Sequence, residues 1–545
     1  MFKHGRAAVV AIVALGATWA SAGPALAKAC PNHTTTTVSG SPSYTYVRGC
    51  ILSWDSTPIV YNLFEPLHPA AGSLYTILEG PGWGGAGDTT PDSNLIKDGY
   101  AEMTWDPRGF GESGGVAEVD SPASEGRDVS ALITKVLTGR PEIAVDTLGK
   151  DGQPKYTNDF SHHNTKGQPV VGMTGFSYGG GIEWSTAAFD RRVKAMAPGG
   201  SWNDLDYAEA QGAAAGYWDR TSLAWFHQRS YAEYGLNGHA VDIPTLAYQG
   251  SVDTLFTLND AWNSLVETRA QHASLPLKLI AFCGGHVSCP TGAPPTGQNY
   301  SDTASKTNAL APGESAGTYT ENATIAWFNH YLRGEKGSAG ALDKLVPADD
   351  NLVYQDQTGN WHALSTFPTP SEPGPATYVT APFTGTLVGH TAPTGASNAP
   401  AGEDTAITDG ATPAGDPGQV TVPVVTAKSG DLPIVGIGHV TADVTVDGPA
   451  TNLFFRLIDE NTGDVVDLQT APLRLDNLDL VDNGTSPNLP PAAVPISLDL
   501  AGVSYLLPKG DTLELQVSTS TNSFVPNRGA AVVSIANGKV SVPTL

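Results

Sequence analysis

The sequence predicts two architectures in one chain, a mostly parallel α/β half followed by an all-β sandwich. Three observations carry this. Up to about residue 345, short apolar runs alternate with helical patterns, which implies a parallel sheet with helices on both faces. From about residue 350 the chain turns to short alternating runs separated by Gly, Pro, Asn and Asp, the pattern of a sandwich. At 545 residues the chain is also too long for one core, so two domains or more are expected. The expected boundaries are 28–345 for the α/β half and 350–545 for the β half.

The first element is a leader. Lys3 and Arg6 supply positive charge, Ala7 to Ala20 is apolar, and Ala25-Leu26-Ala27 is a small-x-small cleavage site, so residues 1–27 read as a signal peptide and the mature protein as secreted. The apolar stretch is short for a membrane span. Outside the cell, four cysteines are expected to pair. Four allow three connectivities, and proximity favours Cys30 with Cys50 and Cys283 with Cys289. A formal charge of -25, from 54 acidic against 29 basic residues, argues against nucleic acid or an anionic membrane as partner. Residues 28 to about 50 are rich in Thr and Ser and read as a lead-in that is ordered only if the first disulfide forms.

Pro58 to Phe64 and Leu74 to Leu78 are the early strands. The second runs into Glu79-Gly-Pro-Gly-Trp-Gly-Gly85, a loop whose backbone N–H groups can face a ligand. Gly99 to Trp105 is a strand ending in Asp106-Pro-Arg-Gly-Phe-Gly-Glu-Ser-Gly-Gly115, where Asp106 and Arg108 read as braces of a loop. Arg127 to Leu137 is an amphipathic helix. His162 and His163 sit in a polar stretch with no motif that completes a metal site, so a solvated loop is the reading there.

The run Val170 to Met173 is a short buried strand, and Ile182 to Phe189 begins a helix. Between them lies Gly175-Phe-Ser177-Tyr-Gly179. A serine forced into a sharp strand-to-helix turn needs glycine neighbours, and the turn presents its hydroxyl at the top of the sheet. The N–H of the following Tyr178 and the start of the helix favour negative charge there. The plainer reading is a glycine-rich turn with an inert serine.

Val193 to Ala197 is the next strand. An aromatic-rich, helical insert at about 202–241 follows it, placed to roof the site or simply to pack as core. Ile243 to Tyr248 is a strand leading to Asp253, Ala261 to Ala270 a helix, and Leu277 to Phe282 a strand leading to Cys283-Gly-Gly-His286-Val-Ser-Cys289. Ser177, Asp253 and His286 thus each follow a strand's C-terminal end, where ligands bind in open α/β sheets. The order Ser, acid, His is that of α/β hydrolases. A disulfide across Cys283 and Cys289 would hold the histidine loop in a small ring. Ala323 to Arg333 is the closing helix. In the β half, runs begin with Leu352 to Tyr354 and include Thr377 to Val379, His439 to Val446, Asn452 to Ile458, Val465 to Leu468, Thr512 to Ser518 and Ala530 to Ile535, with a long loop at about 390–418.

With these pieces placed, the chain resembles the X-Pro dipeptidyl-peptidase-like serine hydrolases, the group that includes cocaine-esterase-type acyl esterases and α-amino-acid ester hydrolases. The matching segments are Asp106 to Gly115, Gly172-Met-Thr-Gly-Phe-Ser-Tyr-Gly-Gly180, Asp190-Arg-Arg-Val-Lys-Ala195, Asp253-Thr-Leu-Phe256, Gly285-His286 and Trp327-Phe-Asn-His-Tyr-Leu-Arg-Gly334. Ala442 to Asp459 and Leu507-Pro-Lys-Gly-Asp511 resemble the family's C-terminal jelly roll. The resemblance implies Ser177 as nucleophile, His286 as general base then acid, Asp253 as its orienting carboxylate, and Tyr178 as one oxyanion donor. Cocaine-esterase-type members carry a donor tyrosine after the proline of the first loop. Here Pro81 is followed by Gly82, so the second donor is expected to be the N–H of Trp83. The insert looks shorter than the family's helical cap.

The expected activity is cleavage of amides or esters through an acyl-enzyme, without metal or organic cofactor, on a small ester or peptide. The dipeptidyl-peptidase-like reading stands first and acyl esterase second. A dipeptidyl-peptidase needs a carboxylate for the substrate's amine, and Glu183, Asp204, Asp206 and Glu209 are candidates, with Trp202 and Asp204 taken as substrate contacts. The different-class reading is a secreted binding protein with an inactive hydrolase half.

Overall fold

The structure is a computed structural model and describes residues 30, 33–147, 166–205, 220–287, 289, 316–389, 416–448, 452–475, 492–521 and 531–545. The leader, His162 and His163, residues 206–219 of the insert with Asp206 and Glu209, and most of the 390–418 loop lie outside them.

The α/β half is built on one eleven-stranded sheet. Its strands are β1 (Thr34–Val38), β2 (Tyr44–Leu52), β3 (Pro58–Pro66), β4 (Thr76–Gly80), β5 (Ala101–Trp105), β6 (Val171–Phe176), β7 (Val193–Gly199), β8 (Thr245–Gly250), β9 (Leu277–Phe282), β10 (Leu352–Gln355) and β11 (Trp361–Leu364). Their spatial order is β1-β2-β3-β5-β4-β6-β7-β8-β9-β10-β11. From β5 through β10 every neighbour is parallel, while β1, β2, β3 and β11 add antiparallel edges.

Side chains along these strands alternate between the sheet's two faces, as the pleat requires. Leu78, Met103, Met173, Met196, Ala247 and Leu279 fill one core with helices α1 (Glu125–Leu132), α2 (Tyr178–Ala187) and α3 (Leu258–Gln271). Ile77, Ala195, Leu246, Tyr248 and Ile280 fill the other, against α4 (Ala316–Tyr331). Trp327 and Phe328 of α4 have no exposed surface, and truncating either to alanine would cost about 3–5 kcal/mol.

The Thr-rich lead-in is ordered, with Cys30 tied to Cys50 as expected, and forms an antiparallel hairpin, β1 and β2, at the sheet edge. Two expectations are corrected. Leu352 to Tyr354 does not open the sandwich. It pairs in parallel with β9, Val353 opposite Ile280, and its residues are buried. Its run is apolar throughout rather than alternating, as befits a strand covered on both faces. Within Val465 to Leu468, a turn replaces the expected strand, with Asp467 and Leu468 at φ 50 and 58.

The sandwich itself begins at Thr377. One sheet holds Thr377–Val388, Val532–Thr544, His439–Asp447 and Val494–Asp499 in spatial order. The other is centred on Thr512–Ser518 and Asn452–Asp459. Their inner faces share one core, with Phe383, Val440, Leu453, Leu515 and Val540 among its members. The β half docks on the α/β half through Asn259, whose amide donates to Leu500 O at 3.0 Å and accepts from Gly502 N at 2.7 Å.

Candidate active site

The serine turn has the strain its spacing predicts. Ser177 sits at φ 62, ψ -120, a conformation costly for a residue with a side chain. Surrounding bonds hold it there. Ser177 N donates to Gly199 O at 2.9 Å, and Gly180 N and Gly181 N donate to Ser177 O. A Cβ on Gly179 would lie 2.1 Å from Gly80 O, and one on Gly175 would meet Gly179 C at 2.8 Å. The two glycines thus allow β4 and the turn to touch backbone to backbone.

Parallel β6, β8 and β9 end at one edge of the sheet, so the loops after them meet. Ser177 Oγ lies 2.8 Å from His286 Nε2, and His286 Nδ1 lies 2.7 Å from Asp253 Oδ2. The carboxylate fixes the tautomer, because an acceptor facing Nδ1 demands a proton there. Nε2 is then free to accept from the serine hydroxyl. Asp253 is fully buried and lies among donors. Oδ2 accepts from His286 N at 3.1 Å and Gln249 Nε2 at 3.3 Å, and Oδ1 accepts from Leu255 N and Phe256 N at 3.0 and 3.1 Å. The imidazole is gripped between Phe176 and Phe256, with ring centroids 5.0 and 5.6 Å away. Gly285, at φ 138, makes room, since a Cβ there would lie 2.5 Å from Asp253 Cβ. Cys283 and Cys289 are bonded, closing the ring around His286. A hydroxyl, an imidazole and a buried carboxylate in this array can move the serine proton to nitrogen as the oxygen attacks.

The glycine loop lies against the same turn. Gly85 N donates to Gly82 O at 2.9 Å, and the Trp83 ring stands edge-on to Tyr178 and Phe110 at 5.1 and 5.0 Å. Tyr178 opens α2, so its N–H has no intrahelical partner. Behind it the Asp106 loop is braced as expected. Asp106 accepts from Gly87 N and Glu112 N, and Arg108 forms two 2.7 Å bonds to Asp128 and one of 3.1 Å to Asp55.

Two of the acidic candidates, Glu183 and Asp204, are among the described residues. Glu183 points into the core, where Oε2 accepts from Ala197 N at 3.1 Å and burial pushes its carboxyl well above the usual range. Asp204 is directed at Ser230 and His227 within the insert, 3.3 and 3.6 Å away. Trp202 is nearer the site. It packs on Phe256, the same ring that flanks His286, and its Nε1 donates to Arg229 O. The described part of the insert holds helices Arg220–His227 and Tyr231–Tyr234. The sequence reading did not single out Gln249, Phe176, Asp120 or Glu125. Gln249 had a signal, as a polar residue in an otherwise apolar buried strand. Asp120 and Glu125 line a cavity of about 10 Å³ with Tyr178, Arg108 and Pro81, room for roughly one water. Among the described residues, Oε2 of Glu125 has no hydrogen-bond partner, and the Asp120 carboxyl has only the Tyr178 hydroxyl beside it. Burial pushes Glu125 up to about 7, and burial followed by the nearby Glu125 charge pushes Asp120 well above its ordinary value. Among the described residues, no group of His, Cys, Asp and Glu is arranged to hold a metal ion.

The family model for X-Pro dipeptidyl-peptidase (S15 family) matches residues 55–216, and that for the X-Pro dipeptidyl-peptidase C-terminal non-catalytic domain matches residues 346–529. The chain belongs to the X-Pro dipeptidyl-peptidase (S15) family. It is therefore a hydrolase with an α/β-hydrolase half and a C-terminal β domain. Of the three site residues, Ser177 falls within a matched stretch, whereas Asp253 and His286 lie between the two and stand on geometry. No curated protein matches this S15 chain.

Three solved structures share the fold of this S15 hydrolase over nearly its full length. An α-amino acid ester hydrolase is 14% identical, with a TM-score of 0.62, over 94% of this chain and 98% of that one. An aminopeptidase from a marine sediment Thaumarchaeota archaeon is 14% identical, TM-score 0.60, over 96% and 99%. A CocE/NonD family hydrolase from Staphylococcus aureus is 15% identical, TM-score 0.58, over 94% and 96%.

Proposed function

We propose that this S15 hydrolase cleaves amide or ester bonds by two-step acyl transfer at Ser177, in the manner of an X-Pro dipeptidyl-peptidase. The observation that carries the reading is the continuous array Ser177 Oγ, His286, Asp253, at 2.8 and 2.7 Å. Ser177 Oγ attacks the carbonyl carbon while His286 Nε2 takes its proton. The imidazolium, held by Asp253, gives that proton to the leaving group. Water then attacks the acyl-enzyme with His286 as base, and Ser177 is restored. The backbone N–H groups of Tyr178 and Trp83 receive the oxyanion, a role for which loss of one donor typically costs about 2.7–4 kcal/mol in the barrier.

Acyl esterase is the second reading. It is favoured by the wall around the site, where Tyr178, Trp202, Phe226 and Phe256 form a buried apolar cluster with Trp83 and Phe110 packed on it. Such a wall suits an apolar acyl group. Two of the structural neighbours carry names that imply an amino-bearing acyl unit, which is the part that supports the peptidase reading. Residues 28–345 and 350–545 are proposed as the two domains, with strands Leu352–Gln355 and Trp361–Leu364 of the second stretch completing the first sheet. Residues 1–27 are proposed as an export signal. Both disulfides fit an oxidising compartment, and among the described residues no helix is long and apolar enough to cross a membrane.

The test is initial rates on Ala-Pro-p-nitroanilide and p-nitrophenyl butyrate, with Ser177→Ala as control. Release from the anilide that is lost in Ser177→Ala supports the first reading, and release from the ester alone supports the second. Unchanged rates in a folded Ser177→Ala protein overturn both.

A further inference from the structure

We infer that Gln469, in the β domain, is a positioning residue for the catalytic acid and base, so that the C-terminal domain sets the reactivity of the triad; this rests on the triad reading above. The side chain crosses from one domain to the other. Gln469 Nε2 donates to Ser251 O at 2.8 Å and to Asp253 O at 3.0 Å. Both partners are carbonyl oxygens, so the amide nitrogen must face them, and its two protons are both used. Gln469 is 5% exposed and Asp253 fully buried, so water does not readily stand in for these bonds.

The neighbouring residue packs on the loop that carries the base. Leu468 packs in a small buried cluster with Val252, Val287 and the bonded pair Cys283 and Cys289, on either side of His286. The β domain thereby grips the acid loop through Gln469 and the disulfide-closed loop of the base through Leu468. A third link runs through Gln355, whose Oε1 accepts from Cys283 N at 3.3 Å and whose own carbonyl accepts from Ser504 Oγ at 3.0 Å.

The turn that presents these side chains is held under strain. Asp467 and Leu468 are consecutive non-glycine residues in the left-handed region, at φ 50 and 58. Such conformations persist where their surroundings over-determine them. Here the buried Asp467 carboxylate accepts from Ser504 N at 2.6 Å, which fixes the turn to strand Val503–Leu507. The turn delivers Leu468 and Gln469 together to the loops of the acid and the base.

The test is Gln469→Met, which keeps length and volume and removes both donors, with Gln469→Glu as the second variant, which sets an acceptor against two carbonyls. Active sites are first counted by fluorophosphonate titration, so rates are per competent site. The expected result for Gln469→Met is a fall in kcat of about tenfold, the weight of roughly one lost hydrogen bond in the transition state, with KM within about twofold. The acid limb of the kcat/KM profile should also shift to lower pH, because a loosened Asp253 stabilises the imidazolium less. If Gln469→Met does not fold, the same shift is sought in Gln469→Glu. Per-site kcat and pH profile equal to wild type in the folded variants overturn the inference and leave the triad standing. Failure of wild type to take fluorophosphonate at Ser177 overturns the triad reading and this inference with it.

Discussion

Replacing Asp253 by asparagine tests the site most sharply, because the structure dictates what the amide must do. Five donors face the carboxylate: His286 Nδ1, His286 N and Gln249 Nε2 at Oδ2, and Leu255 N and Phe256 N at Oδ1. An amide NH2 can replace either oxygen. At Oδ1 it meets two backbone N–H groups. At Oδ2 it meets His286 N–H and the Gln249 amide, and it donates to His286 Nδ1. That second orientation forces the wrong tautomer, with a proton on Nε2 facing the Ser177 hydroxyl. Either orientation leaves two or more buried donors unmatched, which costs about 1–3 kcal/mol for each group so stranded. The loss of the correct tautomer is worth roughly 10⁴ in kcat where the same arrangement operates. We expect Asp253→Asn to lower kcat by about that factor while KM stays within a few-fold, and to lower the melting temperature modestly. Stopped assays on p-nitrophenyl butyrate at high enzyme concentration, with active-site titration, resolve so large a change. A folded Asp253→Asn protein within about tenfold of wild-type kcat would refute the reasoning, since the carboxylate would then be a structural acceptor only.

Two other outcomes follow from buried groups near the site. Removing the Cys283–Cys289 bond by a double serine substitution frees a ring of sequence separation 6. Stability should fall by about 2 kcal/mol on loop entropy, and kcat should fall more than KM rises because His286 sits inside the ring; chemical denaturation and steady-state kinetics read the two effects. Glu125 has its carboxyl pushed up from 4.5 to about 7 by burial, so the folded state holds its proton longer than the unfolded chain does. The contribution of Glu125 to stability is thus full below about pH 4.5 and declines as pH rises towards about 7, by up to about 3 kcal/mol. Glu125→Gln should flatten that decline, and urea midpoints of the two proteins running parallel from about pH 4.5 to about pH 8 would show that the group does not titrate as stated.

Much of the site was legible because its rules are local. Gly175-x-Ser177-x-Gly179 imposes a turn on its own neighbours, and the three strand ends before Ser177, Asp253 and His286 are each a run of a few apolar residues. Parallel topology then does the rest, since strands that run one way end on one edge. Disulfide pairing was legible by proximity for the same reason. Helix limits were less so. Gln271 and Tyr331, for instance, close helices whose first turns, at Leu258 and Ala316, have too little apolar periodicity to mark their start.

The sequence by itself determined the order of elements, the serine turn and the chemistry its three polar side chains can carry, because these depend on steric demands within a few residues. The tertiary structure alone decided which sheet Leu352–Gln355 joins, which rings hold His286, that Asp120 and Glu125 share a cavity behind Tyr178, and that Gln469 reaches the acid loop. An apolar strand satisfies either sheet equally well by pattern, and a buried carboxyl or amide looks like any polar residue until its partner is in place. Gln469 and Asp253 lie 216 residues apart in sequence, and what joins them is the docking of two cores, which no local pattern encodes.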